Sequence, residues 1–167
     1  MSEENSVNNI DDFAQKLKRQ IDQKVLLAVH DKLIQKEYKI QAKHQGAGFD
    51  IKYSIKSRKP IVAMCGRKDG AFEIHLRPLH VASYANRFSE LSEHIRNCCL
   101  QGKDCFRCGY CDKAYEYEYN GTAYVKCQFI CFNFCFTEIE DCDVDSILQV
   151  LDMELEQIAL KNIRKQK

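Results

Sequence analysis

Four cysteines have the spacing of a thiolate metal site. Cys105, Cys108 and Cys111 form a C-x2-C-x2-C motif that contains Gly109, and Cys127 follows at the end of a predicted hairpin. Three thiols this close in sequence can converge on one metal ion, and structural zinc is typically bound by four thiolates at about 2.3 Å. The motif therefore predicts a zinc site that joins the loop to the hairpin.

Other interpretations of the same thiols remain open. C-x2-C-x2-C also begins the bacterial ferredoxin motif, and Cys127 would complete a four-thiolate iron–sulfur cluster. The usual fourth cysteine and following proline of that motif are absent here, because Asp112 and Lys113 come next. The thiols would alternatively be redox-active, or bind no metal and simply pack, since cysteine is often buried as a small apolar residue. The metal identity stays open at this stage.

The chain contains ten cysteines, so substitutes for a proposed ligand exist. Cys98 and Cys99 end a predicted helix just before the motif. Cys131 and Cys135 lie on one face of a predicted strand whose other face carries phenylalanines. Any of these four could replace a proposed ligand, whereas Cys65 lies in an apolar strand and is expected to pack in the structure.

Composition favours a cytoplasmic protein with reduced thiols. The 167 residues carry a net charge of +1, contain no apolar run of bilayer-spanning length, and begin with a polar, acidic segment without a signal peptide. Cysteines in the cytoplasm are mostly reduced, whereas secretion would favour a disulfide framework. We expect no membrane partner, and the near-neutral charge gives no reason to expect nucleic-acid binding.

Hydrophobic periodicity predicts an α+β fold, with an antiparallel β-sheet packed against amphipathic helices and a Cys-rich loop and β-hairpin. We expect a disordered N-terminus at 1–9 and a single α+β domain at 10–167, with the Cys-rich metal-binding segment at about 98–136. The predicted helices span about 10–37, 79–99 and 143–161. The predicted strands span about 38–43, 49–56, 61–65, 72–76, 114–119, 122–128 and 130–137, with an Asn-Gly turn at 120–121.

The polar face of the first predicted sheet is rich in cations. It carries His75 and, alternating with apolar residues, Lys39, Lys43, Lys52, Lys56 and Arg77. Such a face could bind an anion or a nucleotide. It could equally be an ordinary solvated surface, because Asp50 and Glu73 are interspersed with the cations.

No catalytic motif is present, which gives no positive case for an enzyme. The sequence contains no G-x-S-x-G motif, no phosphate-binding glycine loop, no dinucleotide fingerprint and no HExxH. We therefore expect a non-enzymatic binding or sensory module with a structural zinc site. The alternative is a redox protein that uses an iron–sulfur cluster or reactive thiols, and the partner would be a small anionic ligand or another protein.

The segment from Cys105 to Gln128 resembles a family of small Cys-rich bacterial proteins with no established activity. Their C-x2-C-x2-C motif precedes an aromatic hairpin of the form Y-x-Y-x-x-G-x-x-Y and a Lys/Arg-Cys pair. The matching residues are Cys105, Cys108, Cys111, Tyr117, Tyr119, Gly121, Tyr124, Lys126 and Cys127. Similar segments follow helix-turn-helix regulators of the AraC type, but no DNA-reading helix pair is evident here, so that function does not transfer.

Overall fold

This computed structural model describes residues 10–55, 59–102, 104–105, 114–127 and 134–164, with the backbone alone at 163 and 164. The predicted disordered segment at 1–9 lies outside the described residues.

The described chain contains four α-helices, seven strands and three short 3-10 helices. The α-helices are α1 (Ile10–Gln15), α2 (Gln20–Gln35), α3 (Glu93–Gln101) and α4 (Val144–Arg164). The strands are β1 (Lys39–Gln45), β2 (Gly48–Ser54), β3 (Val62–Gly66), β4 (Phe72–Leu76), β5 (Tyr115–Tyr119), β6 (Thr122–Lys126) and β7 (Phe134–Phe136). The 3-10 helices are Val81–Ser83, Ala85–Glu90 and Asp141–Asp143.

The predicted α+β class is confirmed. Five strands form an antiparallel sheet in the order β1-β2-β3-β4-β7, and β5 and β6 form a separate two-stranded sheet. The four-strand meander follows the predicted turns, with positive φ angles at Gly46 and Gly70. Asn120 and Gly121 also have positive φ angles, 49° and 75°, as a type I′ hairpin turn requires.

The prediction of one helix from 10 to about 37 is wrong, because the chain forms two. At the end of α1 the N–H groups of Lys16 and Leu17 bond to carbonyls three residues back, which tightens and closes the last turn. Leu17 is 3% exposed, so the chain places this side chain in the core before α2 begins. An apolar period alone does not reveal such a break.

The predicted helix at 79–99 is also broken. Two 3-10 helices precede α3, and Leu91 between them and α3 has an extended backbone. Ser92 is the N-cap of α3, and its side chain accepts a hydrogen bond from the N–H of Ile95. The segment nevertheless buries six apolar side chains at roughly helical spacing: Val81, Tyr84, Ala85, Phe88, Leu91 and Ile95.

The described residues fall into two compact units. The first comprises the chain up to His75 together with Phe136–Asp141, and the second comprises Leu76–Cys135 together with the chain from Cys142 onward. The prediction of a single domain stays a prediction.

In the first unit, helices α1 and α2 bury apolar residues against the sheet. Phe13 of α1 packs against Phe49 of β2, with ring centroids 5.1 Å apart. In α2, the side chain of His30 forms a hydrogen bond of 2.8 Å with the hydroxyl of Tyr53 on β2. The polar pair lies inside an apolar core, because His30 is 5% exposed and Tyr53 is fully buried. A lone histidine in an amphipathic helix would be expected at the surface, and His30 is instead part of the core.

In the second unit, aromatic side chains form the core beneath the β5–β6 hairpin. Phe88, which is fully buried, lies 5.9–6.1 Å from the ring centroids of Tyr84, Tyr117, Tyr119 and Phe134. The tyrosines of β5 alternate with exposed glutamates, as the sequence predicted. This core fixes the inner face of the hairpin that carries the candidate metal ligands.

Within the described residues, none of the helices has the length and apolar character needed to cross a bilayer.

Candidate metal centre

A short antiparallel pairing brings the start of the cysteine motif beside β6. Asp104 and Lys126 form an antiparallel bridge, and the N–H of Cys105 donates to the carbonyl of Val125 at 2.9 Å. This hydrogen bond identifies Asp104 and Lys126 as a non-hydrogen-bonded pair, in which facing side chains come closest. Their ion pair agrees, since the Lys126 Nζ lies 2.8 Å from the Asp104 Oδ1.

The same register places Cys105 and Cys127 on one face. Side chains alternate along paired strands, so these two cysteines lie on the face opposite the Asp104–Lys126 ion pair. Cys105 is opposite Val125, which makes Cys127 its diagonal neighbour, at a typical Cα separation of about 7–8 Å. Thiols at this separation can reach a common metal ion. Cys127 is 4% exposed and Cys105 is partly exposed.

Aromatic packing and a buried lysine stabilise the end of the β5–β6 hairpin, directly before Cys127. Tyr117 and Tyr124 face each other across the two strands, with centroids 5.2 Å apart and ring planes within 10°. Lys126 lies with its ammonium 5.4 Å from the Tyr124 ring and is only 7% exposed. A buried ammonium is stable only when it is paired, so the Asp104 carboxylate and the ring fix the position of this strand end.

The other two predicted ligands are Cys108 and Cys111, and both lie outside the described residues, as does Cys131. In sequence, Cys108 and Cys111 fall within 106–113, between Cys105 and Tyr115. Cys105 follows the bridge to β6 on one side, and Tyr115 of β5 pairs with Lys126 on the other side of the same strand. The structure therefore gives the register of Cys105 and Cys127, and the prediction that four cysteines bind one metal ion stays a prediction.

Cys98 and Cys99 lie near the end of α3, and whether either replaces a proposed ligand stays open. Cys99 is 1% exposed, and burial raises the pKa of its thiol well above the usual value. Burial, together with the Asp143 carboxylate, also raises the pKa of Cys98. Both effects favour the neutral thiol. The carbonyl of Cys99 instead accepts a hydrogen bond of 3.0 Å from the Tyr117 hydroxyl, which ties α3 to β5.

The remaining described cysteines lie elsewhere. Cys135 is a partly exposed residue of β7, and Cys142 is exposed just before α4. Cys65 on β3 donates its thiol to the Asp50 carboxylate at 3.4 Å, and burial raises its pKa to about 12. The expectation that Cys65 has a packing role fits this neutral, hydrogen-bonded thiol.

Sequence reasoning missed a buried carboxylate in α4. Glu154 has no exposed surface and is within hydrogen-bond distance of three groups, the backbone N–H of His80 (3.1 Å), its Nδ1 (2.7 Å) and the Tyr84 hydroxyl (2.8 Å). Burial and the adjacent Glu154 raise the pKa of Tyr84, which keeps the phenol protonated as a donor. The network attaches the irregular segment before α3 to α4. The available sign in the sequence was that this acidic residue lies between the apolar residues Met153 and Leu155, near the apolar face of the helix.

A second buried carboxylate joins the starts of α3 and α4. Asp143 is 1% exposed; it accepts from the Ser92 hydroxyl at 2.6 Å, and His94 Nδ1 lies 2.7 Å from its other oxygen. The backbone N–H of Ser92 donates to the Ser146 hydroxyl at 2.8 Å. These bonds fix α3, whose C-terminal end leads directly into the cysteine motif. Ser92 and His94 precede Asp143 by about 50 positions, so nothing in the sequence indicated that they are its partners.

Comparison with known proteins gave no match to a protein-family model, to a curated protein or to a solved structure. The resemblance of the cysteine segment to a bacterial family therefore stays a prediction based on its motif.

Proposed function

We propose that this protein is a non-enzymatic binding or sensory module in which a structural zinc ion joins the cysteine loop to the second hairpin. The proposed ligands are Cys105, Cys108, Cys111 and Cys127. The observation that carries the proposal is the register of the Asp104–Lys126 bridge, which places Cys105 and Cys127 on one face. Four thiolates suit zinc, and binding would contribute directly to the stability of this region.

The surroundings of these two cysteines support a structural role more than a catalytic one. The hairpin is held by the Tyr117–Tyr124 stack and by the buried Lys126, both of which fix geometry. A cytoplasmic location is part of the proposal, because a reducing compartment keeps the ligands available as thiols.

Metal analysis of protein purified without added metal tests the proposal. We expect about one zinc per chain, and loss of most of this zinc in Cys108→Ser and in Cys127→Ser. Cys142→Ser is the matched control, since this cysteine is exposed and precedes α4; its zinc content should be unchanged. Zinc-free protein, or equal zinc in all three variants, would refute the proposed site.

The same preparation distinguishes the iron–sulfur alternative. If the protein contains iron and acid-labile sulfide and has a visible absorption band, the four cysteines bind an iron–sulfur cluster and not zinc. Reactive-thiol chemistry has less support at the three described positions Cys65, Cys98 and Cys99, because burial raises the pKa of each. Rapid alkylation of these thiols in the folded protein would restore the redox alternative.

A further inference from the structure

A cavity of about 400 Å³ lies on the outer face of the sheet in the first unit, at the edge strand β1. Its lining residues come from two adjacent strands: Ile40, Gln41, Ala42, Lys43, Asp50 and Lys52. The volume falls within the range of small-molecule sites, about 300–1,000 Å³. No described strand continues the sheet beyond β1, so the groove is accessible from the sheet edge.

The strand register determines which groups face the cavity. Gln41 pairs with Lys52, and Lys43 pairs with Asp50, so these four side chains form one polar patch on the same face. Ile40 and Ala42 also line the cavity; they alternate with the polar residues and pair with the buried Tyr53 and Ile51. The side chains of the polar patch offer two ammonium groups, one amide and one carboxylate.

Asp50 holds the two lysines together. The Lys52 Nζ lies 3.1 Å and the Lys43 Nζ 3.9 Å from its Oδ2, while the Cys65 thiol donates to its Oδ1 from β3. The Asp50 side chain is only 10% exposed, whereas those of Lys43 and Lys52 are 63% and 41% exposed. The carboxylate thus serves as a fixed anchor, and each ammonium keeps donors for an external acceptor.

The local charge favours an anion. Two lysines against one aspartate leave one net positive charge among the lining residues, and the partner of Asp50 on β3 is the neutral thiol of Cys65. Ammonium groups are well suited to phosphate as compact charges with several donors. An oxyanion bound between the two ammonium groups would lie in the groove that Gln41 also lines. The side-chain amide of Gln41 has N–H groups that are further donors.

We propose that this groove binds the phosphate group of a small molecule, with Lys43 and Lys52 donating to its oxygens and Asp50 positioning both ammonium groups. The inference is independent of the metal site, because all its residues belong to the first unit. Edge-strand lysines also discourage pairing with another sheet, which would be an alternative reason for their presence.

Titration of ¹⁵N-labelled protein with inorganic phosphate, at constant ionic strength set with chloride, tests the proposal. We expect saturable amide shifts confined to residues around 40–43 and 50–52. Lys43→Ala and Lys52→Ala should each weaken binding about fivefold or more. Lys39→Ala is the matched control, because Lys39 is an exposed lysine on the same strand and face but does not line the cavity; its affinity should change less than about twofold.

Four outcomes would overturn the proposal. Equal weakening in all three variants would indicate attraction by the general positive field, and unsaturable shifts would indicate nonspecific binding. Self-association of the variants with unchanged phosphate affinity would assign the lysines to protection of the sheet edge. Acetate binding as tightly as phosphate would exclude selection for phosphate. Matching urea midpoints for the variants exclude loss of folding as the cause of weakened binding.

Discussion

At the scale of single residues, the titratable side chains of His30 in α2 and Glu154 in α4 are buried. Both lie in helical segments where neighbouring apolar residues mark the buried face. Each is stabilised by a tyrosine hydroxyl from a distant part of the chain, Tyr53 for His30 and Tyr84 for Glu154. Such partners satisfy the hydrogen-bonding capacity that burial would otherwise leave unfilled.

The buried His30 should make stability depend on pH. Burial lowers its pKa below the usual 6.5, with Asp31 and Asp11 opposing the effect. The unfolded chain therefore takes up a proton that the folded state resists, so stability falls as pH falls below about 6.5, by at most about 1.4 kcal/mol per pH unit. Urea unfolding at several pH values between about 8 and 5 should show this decline.

His30→Gln should reduce that pH slope, since glutamine can bond to Tyr53 but does not titrate. His44→Gln is the control at an exposed histidine and should leave the contribution of His30 intact. Asp22 has the opposite effect on stability. Burial raises the pKa of its carboxyl above 3.8, so its contribution to stability grows as the pH falls. An identical slope in wild type and His30→Gln would contradict the assignment.

At the scale of elements, polar contacts fix the segments that have no regular helical hydrogen bonding. The stretch before α3 is attached to α4 through Glu154, and the N-cap Ser92 is bonded to Asp143. The end of α3 is in turn attached to β5 through Tyr117. These contacts determine where the chain enters the cysteine motif, so they support the candidate metal centre indirectly.

The two tyrosines of this region should differ in their contributions to stability. Tyr84→Phe removes a hydrogen bond to a buried carboxylate, which we expect to cost about 2 kcal/mol, whereas Tyr117→Phe removes a bond to a neutral carbonyl and should cost about 1 kcal/mol. Both hydroxyls are buried, so the pair is well matched. Urea denaturation of both variants measures the difference, and a Tyr117→Phe cost equal to or above that of Tyr84→Phe would rule out the charged acceptor.

At the scale of the whole molecule, the two candidate sites belong to different compact units. Cys105 and Cys127 are in the second unit, whereas Lys43, Asp50 and Lys52 are in the first. The functional hypotheses can therefore be tested separately, since each site has its own residues and its own probe.

Metal removal should affect the second unit most. On treatment with a chelator we expect amide hydrogen exchange to accelerate in β5, β6 and α3, because the proposed zinc ion would stabilise the segment that joins them. Exchange in β2 and β3 of the first unit should change much less. Mass-spectrometric detection at peptide resolution measures both regions at once. Exchange rates in β5, β6 and α3 that are the same with and without the chelator would argue against a structural metal.

Local patterns in the sequence were sufficient for several features. Alternation predicted the meander and the tyrosine face of β5, Asn120-Gly121 predicted the hairpin turn, and cysteine spacing selected the candidate ligands. These features depend on residues close in sequence, whose steric and hydrophobic preferences act without a distant partner. The prediction of continuous helices was wrong at 16–19 and at 84–92. There, local hydrogen bonds and the burial of particular side chains outweighed the helical spacing of the apolar residues.

The sequence by itself determined the α+β class and the hairpins, and it predicted four cysteines as ligands of a soft metal. Only the tertiary structure decided that Asp104 pairs with Lys126, that Cys105 and Cys127 therefore share a face, and that Asp50 gathers two lysines around a cavity. The physical reason is that register and buried polar pairing depend on contacts between distant segments. Those contacts form only when the chain has folded, so no local pattern encodes them.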